Sequence, residues 1–180
     1  VIKGNNINLR PMGNEDIEVF YNWNSNQEFM GEYMYAEIHY KEPFIDNMKK
    51  SFLSNNSFIM IIEDKEAKPL GIINYSNSAF SNVSVDFGIL IADKSLRGKG
   101  VGREAIVLLV NYLFNSKNIM RIQFMTRSDN EGMKLLGERV GFRLEGIMRK
   151  YRFDHGECRD LCLYSLIRDD WRELHSIYES

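Results

Sequence analysis

The chain has 180 residues, 44% of them hydrophobic, a length that suits one domain with a sizeable core, so a single domain over 1–180 is expected. Its net charge of -2 argues against broad affinity for nucleic acid. No stretch approaches the roughly 18 apolar residues of a membrane span, and the opening VIKGNNINLRP has no signal-peptide core. The expectation is a cytoplasmic chain without nucleic-acid or membrane partners, either monomer or homodimer. Charge is uneven: residues 97–152 hold 12 Lys/Arg against 5 Asp/Glu, whereas residues 1–56 hold 5 against 8. The middle suits a polyanionic ligand and the beginning a cationic one.

In chain order, Ile7–Met12 alternates as a short strand, and Asn14 is expected to cap a helix carrying Ile17, Phe20, Tyr21 and Trp23. Gln27–His39 reads as irregular and aromatic. Tyr40–Leu53 has a helical stripe of Phe44, Ile45, Met48 and Phe52. Phe58–Ile62 and Leu70–Tyr75 read as a hairpin, and Val83–Ile91 as a further strand. A glycine loop follows, then a helix with Val101, Ala105, Leu108, Leu109, Tyr112 and Leu113 on one face. Ile119–Thr126 reads as a strand, Glu131–Val140 as a helix, and Phe142–Arg152 and Arg159–Ile167 as two strands turning at Gly156. The predicted class is α/β (α+β), antiparallel at the front with one β-loop-α-β unit near the centre. Cys158 and Cys162 are too close for a disulfide framework, and His39, His155 and His175 lack metal-ligand spacing, so no metal is expected.

The loop Arg97-Gly98-Lys99-Gly100-Val101-Gly102 is the most informative stretch. Alternating glycines let the backbone bend around a ligand, and the next helix aims its free N–H groups outward. With Arg97, Lys99 and Arg103 beside it, the loop suits a pyrophosphate. A P-loop would need Ser or Thr after Lys99, where Gly100 stands. A dinucleotide fingerprint would need an acidic residue about 20 positions on, where Arg121 and Ile122 stand. A plain glycine turn stays open on these residues alone.

The loop resembles the R/Q-x-x-G-x-G/A motif of the GCN5-related N-acetyltransferase (GNAT) superfamily. Three other stretches agree in order: Asp129-Asn130-Glu131 with Leu135-Leu136, Glu138-Arg139-Val140-Gly141-Phe142, and Arg149-Lys150 with Gly156, Asp160, Tyr164-Ser165-Leu166 and Trp171. These are similar to the RimJ/RimL-like subgroup, over roughly residues 7–171. The resemblance implies a mostly antiparallel sheet flanked by helices and splayed between the family's fourth and fifth strands. Acetyl-CoA would be the acetyl donor. Its pantetheine would pair with the backbone of Phe87, Gly88, Ile89, Leu90 and Ile91, and its pyrophosphate would lie on amides from Arg97 to Arg103. Asn130 would bond the pantetheine arm, with Lys134 also on the cofactor side.

For catalysis, an amine must lose a proton before it attacks a thioester, since α-amino groups titrate near about 8 and lysine-type amines near about 10. By resemblance, Asp86 matches the family's strand-four carboxylate. Being one methylene shorter than glutamate, it is expected to act through water. A backbone N–H near Leu90 would steady the oxyanion. The chain departs from the family at Gly137, where many members carry Tyr, and at Met133, where many RimL-like members carry Ser. The departing thiolate is then left with water, the product ammonium, Tyr164 or Tyr151 as donor. Glu28, Glu32, Tyr33 and Tyr35 are the expected acceptor wall, receiving a small cationic amine or a protein N-terminus. A non-catalytic acyl-CoA-binding module is the alternative.

Overall fold

The computed structural model describes residues 1–34, 37–52 and 57–176. Contacts cluster into two compact units, Val1–Ser76 with Gly88–Leu108, and Asn77–Phe87 with Leu109–Ser180.

The first unit opens with β1 (Ile2–Lys3) and β2 (Asn8–Pro11), followed by helices α1 (Ile17–Asn24), α2 (Gln27–Met30) and α3 (Lys41–Ser51). Strands β3 (Ser57–Glu63) and β4 (Pro69–Asn77) complete its antiparallel part. β3 and β4 are nearly continuous apolar runs because both faces are covered: Ile61, Ile62 and Ile73 are fully buried. Met12, Trp23, Met30, Ile61, Ile72, Leu90 and Ala92 form one core cluster.

Asn14 does not cap α1 as expected; it starts a 3₁₀ turn over Asn14–Asp16. Asp16, the last residue of that turn, reaches back to accept from the Gly13 amide at 2.8 Å, and α1 itself starts with no side-chain cap bond. Arg10 grips the same carboxylate through both terminal nitrogens, at 2.6 and 2.7 Å, and Glu63 through Nε at 2.7 Å. Burial pushes the Asp16 carboxyl up, but the bonds from Arg10 and Gly13 outweigh it and hold it below its ordinary range. Leu53, the last residue of the expected second helix, lies outside the described residues.

Strand β5 (Ser84–Ile91) and helix α4 (Val101–Ser116) each run from one unit into the other. The second unit adds β6 (Arg121–Arg127), α5 (Glu131–Val140), the hairpin β7 (Arg143–Asp154) and β8 (Glu157–Ile167), and α6 (Arg168–Ser176). Strand order is β1-β2-β3-β4-β5 and then β5-β6-β8-β7, with β5 and β6 parallel. This matches the expected β-loop-α-β unit, since parallel neighbours need a crossover helix. Phe87, Phe124, Phe142 and Tyr164 form an aromatic core, with successive centroids 5.2–5.5 Å apart.

The β7–β8 turn is His155-Gly156, both at positive φ (50° and 80°), the two-residue form that fits strand twist. Further along, the β7–β8 register shifts between Met148 and Arg152. Lys150 sits there at φ 51°, and the Asp160 carboxylate accepts from its amide at 2.7 Å. The Arg149-Lys150…Asp160 pattern thus describes a pinned bulge.

Candidate active site

In the first unit, Gly98 and Gly100 take φ of 76° and 90°, and an added Cβ would meet nothing within 4 Å at either. Backbone conformation rather than crowding demands glycine there. The Gly100 carbonyl accepts from Glu104 N at 3.0 Å and so opens α4. Among the described residues, no acceptor meets the amides of Gly98, Gly100, Val101, Gly102 or Arg103. Five N–H groups at a helix N-terminus form the cradle an anionic diphosphate requires, and Lys99 and Arg103 are exposed beside them. The residues present therefore fit the diphosphate of acetyl-CoA.

Two members of the motif behave otherwise. The Lys99 amide bonds Leu96 O at 3.3 Å, and Arg97 is engaged throughout. Its amide bonds Lys94 O at 3.2 Å, its Nε bonds Ile91 O at 3.0 Å, and its Nη2 donates to Phe29 O at 2.8 Å and Ile91 O at 2.9 Å.

The β5 backbone has two edges. Ala92 N donates to Leu70 O at 3.0 Å and Ser78 N to Ser84 O at 2.9 Å, so the even-numbered residues of β5 bond toward β4. A residue's N–H and C=O share one edge of an antiparallel ladder. Leu90 therefore aims its amide at β4, and its carbonyl stands where a Cβ on Gly71 would come within 2.0 Å. By the same parity, the amides on the opposite edge are those of Phe87, Ile89 and Ile91. On that edge the β5–β6 ladder pairs Ser84 with Arg121, Val85 with Ile122 and Asp86 with Gln123, then ends, although β5 continues to Ile91 and β6 to Arg127.

In the second unit, the half-buried Asp86 lies at that last rung, and Gln123 Nε2 donates to its Oδ1 at 2.7 Å. Arg121 Nε donates to Gln123 Oε1 at 2.8 Å, which fixes the amide so that its NH₂ faces Asp86. Arg121 also forks onto Glu145 at 2.7 and 2.5 Å, and Ser165 Oγ donates to the same carboxylate at 2.5 Å. These bonds hold the Glu145 carboxyl down at about 2. Sequence reading missed Gln123, Arg121 and Glu145; period-2 spacing of polar residues in β6 was the available signal.

Asn130 caps α5, its Oδ1 accepting from Met133 N at 3.1 Å and its Nδ2 donating to Thr126 Oγ1 at 3.0 Å. A carboxamide has two donors and two lone pairs, so capacity for a ligand remains. Lys134 Nζ holds Ser128 O at 3.0 Å and Glu131 Oε1 at 2.6 Å. Tyr164 is 2% exposed, stacks on Phe124 and donates its hydroxyl to Glu138 Oε1 at 3.1 Å. Burial first, and Glu138 second, push its phenol pKa up.

Glu28 and Glu32 are exposed and Tyr33 is half-buried, while Tyr35 lies outside the described residues. Asn26 accepts from Glu28 N at 2.8 Å and caps α2, a helix the sequence reading took as irregular chain. Gln27 Nε2 reaches Gly31 O at 2.5 Å and Met34 O at 2.8 Å, folding this stretch on itself.

A strand that leads through an anion-seating glycine loop into a helix fits the class of proteins that hold the diphosphate of an acyl-CoA. Residues 6–143 match the family model described as an acetyltransferase (GNAT) domain, and the chain belongs to that family. Among curated proteins it is 24% identical over 156 residues to the spermidine N(1)-acetyltransferase of Vibrio cholerae, covering 86% of this chain and 89% of that protein. It is 29% identical over 112 residues to the ribosomal protein uS5-alanine N-acetyltransferase of Escherichia coli, covering 62% and 57%. Among solved structures, spermidine N-acetyltransferase from Vibrio cholerae in complex with CoA and spermine superposes with a TM-score of 0.82 at 21% identity, covering 93% of this chain and 98% of that one. The chain is an acetyl-CoA-dependent N-acetyltransferase, and no helix among its described residues is long and apolar enough to cross a membrane.

Proposed function

We propose that the chain acetylates a small cationic primary amine of the polyamine kind, by direct attack of the amine on acetyl-CoA. The observation that carries this is Asp86, a carboxylate at the last rung of the β5–β6 ladder, oriented by Gln123. Asp86 takes a proton from the incoming ammonium through one water, freeing the lone pair that attacks. As the C–N bond forms, the Ile89 amide, on the unpaired edge of β5, donates to the developing oxyanion. Gly98 and Gly100–Arg103 hold the diphosphate, and Asn130 bonds the pantetheine arm. When the C–S bond breaks, the Tyr164 hydroxyl turns from Glu138 to steady the thiolate, which then takes the proton that the product nitrogen sheds.

The choice of acceptor rests on Glu28, Glu32 and Glu37, exposed acids in the segment expected to face it, and on the relative named as a spermidine acetyltransferase. A protein N-terminal amine is the second reading, favoured by the relative that acts on ribosomal protein uS5. Thiol release from acetyl-CoA, measured with spermidine, aminoglycosides, amino sugars and N-terminal peptides, decides. The expected result is turnover on spermidine that Glu28→Gln with Glu32→Gln weakens through KM. Turnover on Ala-initiated peptides alone would reject the polyamine.

A further inference from the structure

We propose that Arg97 is a positioning residue for the acceptor segment rather than a ligand of the diphosphate. This rests on the reading of Glu28–Tyr33 as the acceptor side. The loop motif leads one to expect an arginine turned toward phosphate oxygens. Its guanidinium instead spans two main-chain carbonyls, Ile91 at the exit of β5 and Phe29 in the last turn of α2.

Carbonyls in a last helical turn lack intrahelical donors, and a cationic donor is a strong way to satisfy one. The need is acute for α2, which has only four residues and little stability of its own. Met30 anchors one side of it in the core cluster with Trp23, Leu90 and Ala92. Arg97 ties its far end to the strand that continues into the loop.

Gly31 supplies an independent sign that the two parts are matched. It follows α2 at φ 79° and ψ -160°, a region essentially restricted to glycine. A Cβ there would also stand 2.7 Å from Arg97 Nη1. The segment is thus both bent and stripped of a side chain where the guanidinium passes. Glu28 and Glu32 flank the clamped residues in sequence, so releasing Phe29 O would loosen both carboxylates. Diphosphate binding needs only amides that a change of the Arg97 side chain leaves in place.

The test compares Arg97→Met and Arg97→Lys with the wild type, reading acetyl-CoA affinity by calorimetry, acceptor KM and kcat by thiol release, and amide exchange at Met30 and Gly31. For Arg97→Met we expect a Kd for acetyl-CoA within about twofold of wild type and an acceptor KM raised about tenfold, with a smaller change in kcat. Exchange at both amides accelerates. Arg97→Lys, able to reach one carbonyl, falls between. A tenfold loss of acetyl-CoA affinity with acceptor KM and exchange unchanged would overturn the proposal and restore Arg97 as a phosphate ligand. If the wild type turned over no amine, the acceptor reading would fail by itself. Exchange and acetyl-CoA affinity would still judge whether Arg97 clamps α2. If Arg97→Met did not fold, Arg97→Lys would carry the same comparison.

Discussion

Gly137 on α5 faces the ring of Phe124 on β6 so closely that a Cβ at Gly137 would stand 2.5 Å from the ring's Cζ and 2.8 Å from Cε1. Phe124 is 2% exposed and packed among Phe87, Phe142 and Tyr164, so the ring has nowhere to yield. The position that resembles the family's tyrosine is therefore filled from the neighbouring strand. Gly137→Ala should destabilise the protein by up to about 2 kcal/mol in urea unfolding. Overpacking costs about 1–3 kcal/mol, against the roughly 1 kcal/mol that alanine gains over glycine inside a helix. Phe124→Leu should relieve part of that penalty in a double-mutant cycle; additive effects would refute the contact.

How legible this was in sequence depends on the kind of feature. The loop Arg97–Gly102 stood out because glycines at positive φ leave a residue-type mark. Strands β3–β6 and helices α4 and α5 stood out because they are long and apolar enough for period to show. Helix α2 is too short for a period, and α6 is mostly polar. The direction of the Leu90 amide depends on pairing parity with β4, which the β5 sequence does not contain. The Arg97 side chain has reach enough for a phosphate or a carbonyl, so its motif position alone does not choose.

The carboxylate expected to take the proton can be separated from its support. Asp86→Asn should lower kcat by about 100-fold or more while acetyl-CoA affinity stays unchanged, because general base catalysis contributes about 10²–10⁴-fold. Gln123→Leu, which removes the 2.7 Å bond to Asp86 Oδ1, should give a smaller loss in kcat with the same affinity. Equal rates for wild type and Asp86→Asn would remove Asp86 from the mechanism.

The Glu145–Arg121 fork predicts a pH signature in stability. The Glu145 carboxyl titrates at about 2 in the fold instead of its ordinary 4.5, because of Arg121 first and Ser165 second. A depressed folded-state pKa stabilises above the unfolded value, and the gain fades as pH falls from about 4.5 toward 2. Both side chains are partly open to water, so the contribution is small, about 1 kcal/mol or less. Urea unfolding at pH 7 and pH 3 should show wild type ahead of Glu145→Gln at the higher pH, with the gap narrowing at the lower. A constant gap would mean that Glu145 acts by packing alone.

The bulge in β7 offers a test of backbone preference. Lys150 holds φ 51°, which costs an L-residue roughly 1–2 kcal/mol. Its amide is tied to Asp160. Lys150→Gly should hold or raise stability by up to about 1 kcal/mol, while Asp160→Ala should lower it by about 0.5–1.5 kcal/mol by removing that exposed bond. Thermal unfolding of both variants reads the contrast; a loss in Lys150→Gly would show that the lysine side chain, not the turn, matters there.

Tyr164 decides how the thiolate is met. Burial and Glu138 raise its phenol pKa above the ordinary 10, so the group stays protonated across the working range and serves as a hydrogen-bond donor rather than a source of protons. Tyr164→Phe keeps the ring stacked on Phe124 and removes only the hydroxyl. If the hydroxyl turns to the thiolate, kcat should fall about tenfold with acetyl-CoA affinity intact, as expected for the loss of one donor to a developing charge. Because the phenol never ionises in this range, the deficit should be the same at pH 6 and pH 9. A deficit that grows with pH would assign the group a proton-releasing role instead. An unchanged kcat with lowered stability would leave Tyr164 as the member of the aromatic core that ties β8 to Glu138 on α5.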